Sequence, residues 1–157
     1  AGIPLAEAKQ FVDAYFTRFP GIAHYIATTK QLAKDQGYVT TLLGRRRAFP
    51  ILRSTTADGR TRMLQASAER EAINHPIQGT AADIIKIAMI HIHAKLAAEK
   101  LQARLLLQVH DELVLEAPEA EVPRVIDLVR TTMETAYPLD PPLVVEVGVG
   151  DNWDDVK

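Results

Sequence analysis

Apolar residues recur at three- and four-residue steps through Leu5, Ala8, Phe11, Val12, Tyr15, Phe16 and Phe19, the spacing of one face of an α-helix. Pro4 suits the first turn of such a helix, and Pro20-Gly21 punctuates its end. A second helical pattern covers residues 22–36 through Tyr25, Ile26, Thr29, Leu32 and Ala33, with Gly37 placed as its C-terminal stop. The aromatics of these segments are expected to be core residues between two antiparallel helices. Residues 38–43 form a short extended run ending at Gly44, and residues 49–59 have no clear period and are expected to be loop. A third helix over 61–74 is expected to end before Pro76, because the residue preceding a proline is pushed out of the α region. A long helix then follows over 77–100, with Ala81, Ile84, Ile85, Ala88, Met89, Ile92 and Leu96 as its apolar residues. Two β-prone runs, 104–109 and 112–117, flank a tight polar apex and predict a β-hairpin. A helix over 119–137, a proline-bounded linker over 138–142 and a final strand over 143–149 complete the chain. Helices followed by an antiparallel hairpin, a helix and a strand give the α+β class.

Composition changes this picture little. With 157 residues, 47% hydrophobic and 24% charged, the chain is long enough for one core or two small subdomains. No apolar run approaches a membrane span and no signal peptide is visible, so no membrane partner is expected. The absence of cysteine excludes disulfides and thiolate metal sites and fits an expected cytoplasmic location. The chain does not begin with Met, and Ala1-Gly2-Ile3-Pro4 reads as an interior cut through a longer polypeptide.

Charge changes it more. The net charge of −2 is unevenly spread: residues 1–80 carry 11 Lys/Arg against 6 Asp/Glu, and residues 81–157 carry 7 against 14. A basic half fits a polyanionic partner, and an acidic half fits cation binding or plain solubility. Between Arg45 and Arg62 six arginines meet a single acid, Asp58, either as a nucleic-acid contact or as a solvated surface.

Two groups of residues carry candidate chemistry. The first is the hairpin apex His110-Asp111-Glu112. A hairpin turn needs no adjacent Asp and Glu for folding, and two carboxylates on a rigid apex match a magnesium station; an acidic polar turn is the alternative. The second is Arg70, Asn74 and Gln78, four residues apart and rich in hydrogen-bond donors. Every base pair presents a minor-groove acceptor at purine N3 or pyrimidine O2, so such donors test duplex shape without reading sequence. A polar helix face in which Asn74 caps the following helix explains the same residues. His91 and His93 lie two apart on a helix, point in different directions and make a poor metal pair.

The block from Glu69 to Lys86, ERE-AINHPIQGTAADIIK, resembles the palm helix of the A-family DNA polymerases of the bacterial polymerase I type. Gln108 to Glu116 is similar to that family's motif C, Gly37 to Arg47 resembles the outer part of its fingers, and Gly148 to Trp153 resembles its C-terminal ending. The four blocks stand in the family's order and span essentially the whole chain. The resemblance implies an α+β fragment with a helical outer-fingers portion over 1–66. A palm portion over 67–157 would hold the antiparallel hairpin, a long helix and a further strand. It implies DNA-directed DNA polymerase activity in the intact enzyme, with two Mg2+ ions, primer–template DNA and deoxynucleoside triphosphates as partners, and roles in replication and repair. Asp111 would be the catalytic metal ligand, with Glu112 a nearby, less essential carboxylate. His110 would touch the primer terminus, Arg70, Asn74 and Gln78 would line the minor groove and help sense mispairs, and Arg45, Arg46 and Arg47 would lie towards the template.

Some family parts have no counterpart here. The motif A aspartate, the other main metal ligand, is missing, as are the triphosphate-binding fingers helix, the thumb and the exonuclease domain. Asp13, Asp35, Asp58 and Asp83 do not stand in motif-A-like surroundings. The reading is therefore a C-terminal polymerase piece that needs the missing N-terminal part of the same polymerase as its partner and is inactive alone. A non-catalytic DNA-binding module derived from a polymerase is the alternative, and a nuclease using Asp111 and Glu112 is a third reading that lacks further ligands.

Overall fold

The computed structural model describes residues 4–56 and 58–156; residues 1–3, the basis for reading an interior cut, lie outside them. The chain divides into two compact units, 1–80 and 81–157, at a point inside a helix.

In the first unit, α1 (Leu5–Arg18) follows Pro4, and α2 (Pro20–Gln36) starts on Pro20. Between them Phe19 leaves the helical region at φ −124° and ψ 66°. Gly37 ends α2 at φ 79°, a left-handed conformation that costs glycine little, and its N–H bonds to the Ala33 carbonyl at 3.0 Å. Strand β1 (Tyr38–Thr40) then pairs antiparallel with β2 (Arg46–Ala48), with Val39 opposite Arg47. A short 3-10 helix, Pro50–Arg53, follows within the expected loop. Val39, Phe49 and Leu52 pack with Ala33 of α2 and with Ala68 and Ala72 of α3 (Gly59–Ala98). Lys30 and Lys34 of α2 reach Glu69 of α3 at 3.1 and 2.8 Å, and the Lys34 bond holds the Glu69 carboxyl below its ordinary value against the opposing effect of burial.

One expectation fails in this unit. The aromatics of α1 are not core: no residue of that helix is buried, and Phe11 is 74% exposed. The inward positions of α2 are Thr29 and Ala33, so its buried face is turned to the β1, 3-10 and α3 cluster. Tyr15 is left to stack on Phe16 and Phe19, with ring centroids 5.6 and 5.0 Å apart.

The break predicted at Pro76 also fails. Helix α3 is continuous over 40 residues with Pro76 inside it. Asp58 starts it: the Asp58 carboxylate accepts from the Thr61 N–H at 2.7 Å and the Thr61 hydroxyl at 2.9 Å. Pro76 has no N–H to give the Ala72 carbonyl, and two neighbouring carbonyls of this turn accept from side-chain hydroxyls. The Tyr25 hydroxyl donates to the Ile73 carbonyl at 2.7 Å, and the Thr80 hydroxyl donates to the Pro76 carbonyl at 2.5 Å. One tertiary bond, from Tyr25, and one within the helix, from Thr80, thus accompany the passage of α3 through Pro76, and Asn74 sits inside a helix instead of capping one.

The second unit is built on the later turns of α3. Ile92 and Leu96 pack with Ala103 and with Val125, Leu128 and Val129 of α4 (Val122–Glu134). Strands β3 (Arg104–Val109) and β4 (Glu112–Glu116) form the predicted hairpin, which sets Leu105, Leu113 and Leu115 against that cluster. The loop entering β3 is tied down by Glu121, whose carboxylate accepts from the Gln102 and Ala103 N–H groups at 2.9 and 3.1 Å. Helix α4 ends at Glu134, short of the expected residue 137, and a 3-10 turn, Glu119–Glu121, precedes it. His91 and His93 flank the buried Ile92 and are both exposed.

The final strand is not formed. Residues 143–149 pair with no strand among the described residues, and Val144 is 81% exposed. A strand exists only with a ladder partner, and both sheets among the described residues stop at two strands. Its one anchor of note is the Val145 N–H bonded to Glu134 at 3.1 Å. Trp153 is 49% exposed. The closure is instead made where Val156 folds against Gly148 and Gly150, leaving no room for a Cβ at Gly148.

Candidate nucleic-acid interface and metal-binding tip

The hairpin tip is a two-residue turn. Val109 pairs with Glu112, which leaves His110 and Asp111 as the connection. His110 carries φ 54°, the left-handed region this kind of turn requires, without a glycine to supply it cheaply. The Gln108 side chain donates to the His110 carbonyl at 2.6 Å and braces the turn from within. Upstream, a bulge between Leu105 and Leu107 shifts the register before the strands reach the tip. His110, Asp111 and Glu112 are all exposed. The structure therefore brings the three residues of the apex together on a tip whose base packs, half-buried, against the second unit's core.

Asp111 and Glu112 offer hard oxygen donors, the kind Mg2+ takes, often one or two carboxylates with the rest from water and substrate phosphates. Among the described residues no group of three or more His, Asp or Glu residues could hold a cation. The tip fits Mg2+ in donor type but not in number of ligands.

In the first unit, Arg70, Asn74 and Gln78 lie exposed on the unbroken α3. Four-residue steps on a helix drift by only about 40°, so the three side chains form one stripe roughly 12 Å long. The continuity of α3 through Pro76 makes this stripe possible.

Arg45, Arg46 and Arg47 are engaged locally. The Arg45 guanidinium donates to the Gly79 carbonyl at 2.9 Å. Arg46 lies over the Tyr38 ring at 4.8 Å, and Arg47 lies over Phe49 at 5.2 Å while pairing with Glu71. These contacts orient the β1–β2 turn.

Sequence reading missed the residues that hold this turn on α3. The Leu42 N–H donates to the Thr80 hydroxyl at 3.0 Å, and the Arg45 N–H donates to the Thr41 hydroxyl at 3.1 Å. Gly79 allows the approach: a Cβ there would stand 2.7 Å from the Thr41 methyl. A glycine inside a helical pattern was the available signal. Gly79→Ala gains about 1 kcal/mol of helix propensity, but it forces a stiff, buried β-branched side chain to move, an overpacking cost of about 1–3 kcal/mol. A net loss of stability is expected, read as a lower urea midpoint for the variant chain; an unchanged or raised midpoint would show that Thr41 yields freely.

A family model described as DNA polymerase family A matches residues 1–155. The chain is 52% identical over 151 residues to DNA polymerase I of Bacillus caldotenax, covering 96% of this chain and 17% of that protein. It is 49% identical over 156 residues to the thermostable DNA polymerase I of Thermus filiformis, covering 99% of this chain and 18% of the relative. Among solved structures it is similar to the POL domain of Pol1 from M. smegmatis in complex with DNA primer-template and dNTP. There the TM-score is 0.91 at 46% identity, over 98% of this chain and 26% of that one. The chain thus spans less than a fifth of the length of these curated relatives. Matched along nearly its whole length in both sequence and fold, the chain belongs to DNA polymerase family A.

Proposed function

We propose that this chain carries the primer-end half of a template-directed DNA polymerase site, acting on primer–template DNA and deoxynucleoside triphosphates. The observation that carries it is the exposed His110-Asp111-Glu112 tip on a braced hairpin in a chain matched to the family over residues 1–155. Residues 1–66 supply outer fingers and 67–157 supply palm.

Asp111 holds the metal, with Glu112 as an auxiliary carboxylate. Bound Mg2+ supplies activation of the primer hydroxyl and charge stabilisation on the triphosphate. His110 contacts the primer terminus from the same turn. The donors of Arg70, Asn74 and Gln78 bond minor-groove acceptors whose positions are shared by all correct pairs and displaced in mispairs. Arg45, Arg46 and Arg47 face the template strand, where phosphate contacts are weakened by salt. The site is completed by parts these 157 residues do not contain, above all a second carboxylate.

The test is a chimera in which this chain replaces the matching segment of the Bacillus caldotenax enzyme. It is expected to extend a primer on a template. Gln78→Ala in that chimera is expected to lower the matched-to-mismatched extension ratio about fivefold, the scale of one hydrogen bond made to the correct pair alone. An inactive but folded chimera would overturn the polymerase reading, and an unchanged ratio would overturn the minor-groove role.

A further inference from the structure

Arg70 and Asn74 precede Pro76 and Gln78 follows it, so the stripe crosses the one turn of α3 whose backbone ladder is incomplete. At that turn the placement of Gln78 relative to Asn74 is not set by helical hydrogen bonds alone. Carbonyls on either side of the missing N–H accept from side-chain hydroxyls, one of them on α2 and one on α3 itself. Tyr25, far away in sequence on α2, reaches the Ile73 carbonyl with its hydroxyl. On the other side of Pro76 the β1–β2 turn grips α3 through Arg45 on the Gly79 carbonyl and Leu42 on the Thr80 hydroxyl. That same Thr80 hydroxyl donates back to the Pro76 carbonyl. Burial pushes the Tyr25 phenol up from its ordinary value.

We propose that Tyr25 and Thr80 are positioning residues for mispair discrimination: their hydroxyls bracket Pro76 and set Gln78 in line with Arg70 and Asn74. This rests on the minor-groove reading of the stripe. Neither residue belongs to the stripe itself, and removing a hydroxyl leaves each side chain's packing volume nearly intact.

The experiment uses the polymerase chimera with single-turnover extension from matched and mismatched primer ends. Tyr25→Phe is expected to lower the matched-to-mismatched ratio about threefold, the lower range for one hydrogen bond, with matched extension and thermal midpoint close to those of the parent. Thr80→Val is expected to act in the same direction, and Thr80→Ser, which keeps the hydroxyl, to restore the parent ratio. A merely structural role would lower both rates together and leave the ratio fixed. The decisive measurement is the double variant: in a Gln78→Ala background, Tyr25→Phe is expected to add nothing. If Gln78→Ala shifts the ratio and Tyr25→Phe does not, or if the two shifts multiply independently, the positioning role is wrong while the minor-groove reading stands. If Gln78→Ala leaves the ratio unmoved, the reading beneath the proposal fails and the proposal with it.

Discussion

Asp111→Ala, placed in the Bacillus caldotenax chimera, is expected to lower the single-turnover rate of nucleotide addition by about 10³-fold or more, with primer–template affinity within about threefold of the parent. The size follows from removing a preorganised charged group at the point where charge develops, a loss of roughly 10²–10³ for a neutral donor and greater for a ligand that holds a cation. A factor of 10³ is about 4 kcal/mol of barrier. Affinity should hold because it rests on cationic contacts to phosphate and counterion release, to which a carboxylate adds nothing. The position also allows a control for shape. Asp111 follows a left-handed His110 in a two-residue turn braced by Gln108, and Asp111→Asn keeps the side chain's size and its place in that turn. Asparagine is therefore expected to lose nearly as much rate as alanine. Rapid-quench measurement of both variants decides the point: an asparagine variant within tenfold of the parent would remove Asp111 from the role of metal ligand.

The tip was legible in the sequence because everything that forms it is local. Residues 104–116 contain both strands, the turn and the carboxylates, and the β-prone runs Leu105–Leu107 and Leu113–Leu115 on either side of a polar apex mark the strands directly. Gly37 stopped α2 for the same reason, as a conformational preference of one residue. What could not be read were outcomes decided by distant partners. Proline's local rule predicted a break at Pro76, and the continuous turn there carries a bond to the Ile73 carbonyl from the Tyr25 hydroxyl, 48 positions away from it. Residues 143–149 have a strand's composition but no ladder partner among the described residues. The α1 aromatics have a core pattern, and nothing in a pattern says which other element covers it. Strands β1 and β2 are three residues each, too short for any period to show, so the turn that fixes Arg45 on Gly79 stayed hidden. The groups proposed to do chemistry were visible as motifs, whereas those that place them were visible only as contacts.

These 157 residues by themselves are expected to add no nucleotide to a primer. A two-metal transfer needs ligands that clamp both the attacking and the leaving oxygens, with ions about 3.5–4 Å apart. The chain offers Asp111 and Glu112 on one tip, and no third His, Asp or Glu joins a group able to hold a cation among the described residues. The other aspartates are in use or in the wrong company. Asp58 caps α3 through Thr61, and Asp35 takes the Gln31 amide at 2.8 Å on α2. Mg2+ held by one or two exposed carboxylates in water is weakly bound, and added Mg2+ cannot replace the geometry of a missing ligand. The measurement is extension of a labelled primer under single-turnover conditions with the purified chain in excess, run beside the chimera as a positive control. Incorporation is expected to stay at the protein-free background. Template-directed incorporation that disappears in the Asp111→Ala chain would overturn this, because a contaminating polymerase would be indifferent to that substitution, and it would mean that the tip assembles a working metal site from this chain alone.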